Sequence, residues 1–257
     1  MVIFVYDRSF EGLLTSLFYC YSHKRFPDTL LGVGEQLPLL CDEVVEIVTD
    51  DQQAGRVWRG LEKKLSGYAL WAVAACWMSG LPQVEMLLLR YMKRIFDSHS
   101  SVELDFADPD VLEVVRIAKK VAKERERVVQ FVRFQHGADE IYYACINPIY
   151  NVLPFAVNYF VDRFAFQRWI IYDTVRQFGY YYDGKSVTEV NCTTYCNGEE
   201  SAGVLGEEER GEDEELFRRL WQTYFSSIAI KERLNPKLHR QHMPVRFWKY
   251  LTEKQLK

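Results

Sequence analysis

The spacing of apolar residues indicates helices through most of the first half of the chain. Ser9 is predicted to cap one helix, and Asp50 a longer one, because each side chain can accept a hydrogen bond from a free amide of the first turn. Asp108 followed by proline predicts a third start. Two short runs of β-branched and aromatic residues, 2–6 and 43–50, are predicted strands.

From residue 128 the apolar period shortens to two, which is typical of strands. An aspartate–glycine pair inside 178–187 predicts a hairpin with a type I′ turn at Asp183-Gly184. Amphipathic helices are predicted over 154–165 and 215–230. The remaining predicted strands are 128–134, 140–146 and 169–173.

These patterns predict a single α+β domain over residues 1–257. Its helical portion, about 1–127, is expected to pack with a portion that contains an antiparallel sheet, about 128–257. The stretch of about 197–211 is acidic and contains glycine, so we expect it to form a mobile loop.

The formal net charge of -4 is unevenly distributed along the chain. Nine acidic residues and one base lie between Glu199 and Glu215, whereas eight Lys/Arg and two Glu follow from Ile228 onward. An uneven charge distribution bears on partners rather than on fold. The C-terminal stretch therefore predicts an acidic partner, with nucleic acid as one candidate.

Six scattered cysteines and an N-terminus without a signal-peptide pattern favour reduced thiols and a cytoplasmic location. The apolar stretch 68–89 is interrupted by Gly80, Pro82 and Glu85. Such interruptions favour two buried helices over a membrane span, which needs about 20 apolar residues. We expect no membrane association.

A zinc site can be imagined from Cys192 and Cys196 with His239 and His242, but these spacings match no common zinc finger. Phosphate-binding and dinucleotide-binding glycine motifs are absent from the sequence. We therefore predict no metal and no cofactor.

Carboxylates offer a catalytic alternative. Asp7 and Glu11 flank the first strand–helix junction, where a strand end would present them to a cleft, and Asp183 is a third candidate. The alternative role for Glu11 is to complement the positive helix N-terminus, which contributes less than about 1 kcal/mol.

Basic residues interleaved with aromatic residues form the strongest pattern. Phosphates attract Lys and Arg, whereas unpaired bases stack on flat rings, for which Trp248 or one of Tyr180–Tyr182 is suited. Each arginine can instead cover apolar surface. In the last stretch, prolines and aromatics predict a segment folded back onto the body. The nucleic-acid candidates are Arg133, Arg163, Arg168, Arg233, Asn235, Lys237, Arg246, Trp248 and Lys249.

Several segments resemble the bacterial "probable DNA metabolism protein" family, a domain of unknown function. They include VYDRSFEGLL at the start, PFAVNYFVDRFAFQRWIIYD in the middle and the stretch from LWQTYF to FWKYL near the end. One departure is Arg8, where the family usually has glycine. The resemblance implies DNA repair or modification, because relatives are encoded beside a radical-SAM protein or fused ahead of a uracil-DNA-glycosylase-like domain.

The leading hypothesis is a protein that binds single-stranded or damaged DNA as the accessory partner of a radical-SAM or glycosylase-type enzyme. The alternatives are an uncharacterised hydrolase or glycosylase-like enzyme that uses the carboxylates above, and a protein-only adaptor with a basic surface.

Overall fold

The computed structural model describes residues 1–191, 205, 209–228, 230 and 233–255. The chain divides into two compact units, Met1–Ala122 and Lys123–Lys257, and both contain helices and sheets. The predicted α+β class is confirmed. The single domain over residues 1–257 remains a prediction.

The N-terminal unit is built on a three-stranded sheet of β1 (Val2–Tyr6), β2 (Thr29–Gly32) and β3 (Glu43–Glu46). The order is β2-β1-β3, and both pairings are parallel. Ile3 and Phe4 of the central strand are fully buried. Since the strands are parallel, their carboxyl ends share one edge, which is where ligands bind in open sheets of this kind.

Three helices of this unit begin where the capping signals predict. Ser9 Oγ accepts a hydrogen bond from the amide of Gly12 at 2.8 Å. Asp50 accepts from the amides of Gln52 and Gln53, and Asp108 caps in the same way. The helices are α1 (Phe10–His23), α2 (Asp51–Lys64), α3 (Gly67–Met78), α4 (Val84–Asp97) and α5 (Pro109–Phe131), the last of which continues into the second unit.

The apolar stretch 68–89 forms α3 and the first part of α4, as the turn at Gly80 predicts. Across the part of the chain that the structure describes, no helix has the length and apolar character needed to cross a membrane.

The C-terminal unit contains a mixed five-stranded sheet. Its strands are β4 (Gln135–His136), β5 (Tyr142–Ile146), β6 (Trp169–Asp173), β7 (Phe178–Tyr182) and β8 (Val187–Val190). They lie in the order β4-β5-β6-β7-β8. β5 and β6 are parallel and are joined through helix α6 (Leu153–Arg163), whereas the other neighbours are antiparallel. The predicted antiparallel pairing is therefore only part of this sheet.

The predicted strand 128–134 is wrong, because α5 continues through Phe131. Val121, Glu124 and Val128 are all buried, and their spacing continues the inward face of the helix. A charged residue on that face makes the helical period difficult to recognise in the sequence.

The hairpin of β7 and β8 is confirmed, but its type I′ turn is wrong. Tyr182 pairs with Val187, so four residues connect the strands. A type I′ turn needs two successive residues with positive φ, and Gly184 alone has one here. The Asp183 carboxylate accepts the amides of Lys185 and Ser186, which stabilises the longer turn.

Two further helices, α7 (Glu214–Ile228) and α8 (Pro236–His242), precede a pair of 3-10 turns, Val245–Tyr250 and Thr252–Lys254. We call residues 243–255 the C-terminal clasp. Its Phe247 is 2% exposed and packs on Phe131 with ring centroids 5.3 Å apart. The prediction that this segment folds back onto the body is confirmed.

The predicted mobile loop, about 197–211, lies largely outside the described residues. Within its described part, Arg210 forms a β-bridge with Gly137, and the amide of Gly211 donates to the carbonyl of His136 at 2.9 Å. Cys192 and Cys196 lie outside the described residues. Cys20, Cys41 and Cys76 are free, whereas Cys145 is disulfide-bonded, so the prediction of reduced thiols is wrong for Cys145.

Candidate functional sites

Arg133 lies in an ion pair rather than on a free basic surface. Its guanidinium is 2.7 Å from the carboxylate of Glu253, which also accepts the indole N–H of Trp221 at 2.9 Å. Burial raises the pKa of Glu253, but the hydrogen bonds from Arg133 and Trp221 outweigh burial and hold that pKa below its usual range. The contacts favour a structural role, in which Arg133 joins the end of α5 to the clasp.

Arg246 is paired in the same way with Glu124, whose side chain is 1% exposed. Glu124 also accepts from Arg127 at 3.3 Å and from the backbone amide of Ile149 at 2.9 Å. The Arg246 guanidinium lies 4.7 Å from the ring centroid of Phe247. One buried carboxylate therefore holds two arginines and a loop amide together.

Five of the predicted basic residues are exposed. Arg168 donates to the carbonyl of Asp139 at 3.1 Å, and Arg163 and Lys249 each lie against a neighbouring aromatic ring. Arg233 and Lys237 have no ion-pair partner among the described residues. Arg240 lies on the same helix as Lys237 and is likewise exposed without an ion-pair partner among the described residues, although it was not a predicted site residue.

Two other candidates have structural contacts. Asn235 caps α8 by accepting the amide of Leu238 at 3.0 Å. Trp248 donates its indole N–H to the carbonyl of Met243, and its ring contacts His239 and the ammonium of Lys254. With these neighbours against its ring, Trp248 is poorly placed to stack on a base.

Helix α7 carries several exposed flat rings of this unit. Phe217 is 62% and Tyr224 55% exposed, whereas Tyr182 of the predicted tyrosine group is buried. No described residue of α7 is buried, although its apolar period is typical of a packed helix. Amphipathic spacing alone does not show which apolar helix faces remain uncovered, and this is why the sequence did not indicate these rings.

In the N-terminal unit, Asp7 follows the last residue of β1. One of its oxygens accepts the amide and hydroxyl of Ser9 at 2.9 and 2.6 Å, and the other accepts the hydroxyl of Thr49 at 2.8 Å. These hydrogen bonds, led by that of the Ser9 hydroxyl, lower the pKa of Asp7. Gly12 leaves room for this carboxylate, since an added Cβ would lie 2.4 Å from it.

Arg8 adopts a φ of 58°, in the left-handed region that glycine occupies without strain. Its guanidinium is 2.5 Å from Glu35, which in turn accepts the amide of Gly32 at 2.8 Å. The backbone conformation at residue 8 is therefore one that favours glycine, the residue that the resembling family usually has there. In this protein the Arg8 side chain, through Glu35, connects the ends of β1 and β2.

Asp7 and Glu11 lie together in an open pocket of about 730 Å³ at the carboxyl edge of the parallel sheet. Asp183 is not part of this pocket; it belongs to the other unit and stabilises the β7–β8 turn. The pocket is lined by Asp7, Ser9, Phe10, Glu11, Leu14, Thr49, Asp51, Ala54, Gly55 and Trp58.

Replacing Asp7 with asparagine is expected to lower the free energy of unfolding at neutral pH by about 1 kcal/mol. A single amide oxygen cannot accept from Ser9 and Thr49 together. Because folding lowers the pKa of Asp7, its ionic contribution is present above the ordinary carboxylate pKa and is lost as pH falls through the folded value. Urea denaturation at several pH values measures both effects.

Asp51→Asn is the matched control, because Asp51 lines the same pocket without a hydrogen-bond or ion-pair partner among the described residues. Its expected effect is within about 0.5 kcal/mol. Equal losses for the two variants would contradict the role assigned to Asp7.

The structure gives no support for a metal site: across the described residues, no three His, Cys, Asp or Glu side chains are grouped to hold a metal ion. Of the imagined zinc ligands, His239 and His242 are described, and both line a second pocket of about 440 Å³ beside α8. Burial and the nearby Lys254 ammonium lower the pKa of His239, which favours its neutral form.

The two units together define an α+β protein with a parallel sheet in one unit and a mixed sheet in the other. The model of a domain of unknown function, DUF4130, matches residues 82–253, more than half of the chain, and the protein belongs to this family. The match includes α8 and all but the last two residues of the clasp, but it begins after every residue that lines the N-terminal pocket.

No curated protein sequence matches the chain. Among solved structures, it is similar to a pGpG-specific phosphodiesterase, PggH, from Vibrio cholerae, at 12% sequence identity and a TM-score of 0.35. The similarity covers 89% of this chain and 99% of that chain. A likeness this distant carries no argument about fold or activity.

Proposed function

We propose that the C-terminal unit binds single-stranded or damaged DNA, and that the protein serves as the accessory partner of a radical-SAM or glycosylase-type enzyme in DNA repair or modification. The observation that carries the proposal is the exposed, unpaired state of Arg233, Lys237 and Arg240 within the described part of the chain. Each has a charge available to a phosphate.

The charge balance around these residues supports the proposal. Residues 233–255 contain six Lys/Arg and one acidic residue, Glu253, which is buried and paired with Arg133. Arg246 is paired with Glu124. The remaining bases lack a local acid to neutralise them, and an unneutralised positive surface attracts polyanions over about a Debye length, roughly 8 Å at physiological salt.

Exposed rings add what a single strand needs beyond charge. Base stacking on an aromatic side chain contributes about 1–3 kcal/mol per base. We assign this role to Phe217 and Tyr224 in place of Trp248, because the contacts of Trp248 cover its ring. Since both rings are exposed, alanine in their place should weaken DNA binding with little effect on folding.

The test is a fluorescence-anisotropy titration with single-stranded, duplex and uracil-containing oligonucleotides. The triple variant Arg233→Gln, Lys237→Gln, Arg240→Gln is expected to bind single strands about tenfold more weakly. It is also expected to reduce the slope of log affinity against log salt by about 2, since each phosphate contact to a single strand contributes about 0.7.

A matched control removes the same charge elsewhere: Lys119→Gln, Lys120→Gln, Lys123→Gln on α5, three exposed lysines without an ion-pair partner among the described residues. An equal loss of DNA affinity in the two triple variants would mean that binding depends on the net charge of the protein and not on this particular surface. Absence of binding to every oligonucleotide at low salt, with and without a radical-SAM partner, would reject the proposal and favour the protein-only adaptor.

A further inference from the structure

We infer that the pocket at the carboxyl edge of the parallel sheet is a binding site for an alkyl polyamine, independent of the DNA-binding surface proposed above. At about 730 Å³ it lies within the range of small-molecule sites, roughly 300–1,000 Å³. The cavity lies where the strand ends of an open parallel sheet place ligands.

The charge of the lining selects a cation. Three carboxylates line the pocket, Asp7, Glu11 and Asp51, and none of its lining residues is Lys, Arg or His. The N-termini of α1 and α2 each contribute about half a positive charge, which leaves the carboxylates in excess by about two charges. This balance repels phosphates and nucleotides.

The positions of the carboxylates select a ligand with more than one charge. Asp7 is fully engaged by Ser9 and Thr49. Glu11 and Asp51 lie in the first turns of two different helices, exposed and without hydrogen-bond or ion-pair partners in the described part of the chain. Two separate acceptors of this kind fit ammonium groups at two points of one molecule.

The apolar lining fits the methylene segments between those charges. Leu14 and Ala54 are each 3% exposed, and Phe10 meets Trp58 edge to face, with ring centroids 5.7 Å apart. Aromatic faces attract ammonium groups as well as covering methylenes. A linear chain of amines and methylenes therefore matches both the charged and the apolar parts of the pocket.

The test is isothermal titration of the full chain with spermidine at low and near-physiological salt. We expect one site per chain. The double variant Glu11→Gln, Asp51→Asn should bind spermidine about tenfold more weakly or worse. A tenfold loss of affinity corresponds to about 1.4 kcal/mol of binding free energy. Trp58→Leu, which keeps an apolar side chain but removes the π face, should weaken it about threefold to tenfold.

Glu62→Gln supplies the control, because Glu62 is an exposed acid of the same helix, α2, that does not line the pocket. Its affinity for spermidine should equal that of the wild type, as should that of the Arg233, Lys237 and Arg240 triple variant. If the protein binds spermidine but no oligonucleotide, the proposed DNA-binding function is rejected and the polyamine site still stands.

Three results would overturn the inference. The first is no heat of binding at low salt, and the second is an equal loss of affinity in Glu62→Gln and in the double variant. The third is that Mg²⁺, added at the same concentration of positive charge, competes for the site as well as spermidine does. Tighter binding of adenosine monophosphate than of spermidine would replace the polyamine with a nucleotide. A thermal melt of each variant shows that losses do not arise from unfolding.

Discussion

Replacing Glu124 with alanine is expected to lower the free energy of unfolding by about 3–5 kcal/mol, the usual cost of removing one partner of a buried ion pair. The variant would leave Arg246 without its carboxylate, Arg127 without its neighbour on α5, and the amide of Ile149 without an acceptor. Urea denaturation followed by circular dichroism measures the loss.

Glu126→Ala is the control, an exposed acid two residues along the same helix, without a partner among the described residues. Its expected change is within about 0.5 kcal/mol. In the double variant Glu124→Ala, Arg246→Ala the total loss should be smaller than the sum of the single losses, because no charge of that pair is left unpaired. Additive losses would contradict the coupling.

Replacing Phe247 with alanine is expected to lower the free energy of unfolding by about 3–5 kcal/mol, the usual range for removing a buried aromatic side chain from a packed core. Phe247 is 2% exposed and contacts Phe131, so its removal leaves a cavity where the clasp meets α5. Chemical denaturation gives the magnitude. Amide hydrogen exchange then shows whether the loss is located in the clasp and α5, where protection should fall most.

Phe166 offers a matched control, because its side chain is fully exposed. Phe166→Ala should leave the free energy of unfolding within about 0.5 kcal/mol of the wild type. If Phe247→Ala were equally mild, the clasp would not be anchored by its aromatic residue, and the burial of Phe247 would have no energetic consequence.

Local signals predicted the parts of the fold whose cause is local. The caps at Ser9, Asp50 and Asp108 need only a few neighbouring residues, and all three are present. The parallel pairing of β5 with β6 has no such signal, because it depends on where α6 returns the chain. The strand prediction at 128–134 was wrong because buried Glu124 interrupts the apolar stripe of α5.

The candidate site residues also divide into those that local sequence signals identify and those whose role depends on distant parts of the chain. From the sequence, Arg133 and Arg246 cannot be distinguished from Arg233 and Lys237, because no local pattern shows that only the first two are paired with a buried carboxylate. Their acidic partners lie 120 and 122 residues away along the chain, a separation that no local pattern reports. Asp7 and Glu11 were found because a strand end followed by a helix start places them at one edge of the sheet.

Those separations have a consequence for biosynthesis. Glu124 and Arg133 emerge from the ribosome long before Arg246 and Glu253, so during translation α5 presents charged groups that will later be enclosed. Contacts between residues so far apart in sequence form late and slowly, because the intervening chain must first be ordered. The nascent C-terminal unit therefore lacks these two ion pairs until residue 253 has been added, and incompletely folded chains of this kind are prone to aggregate.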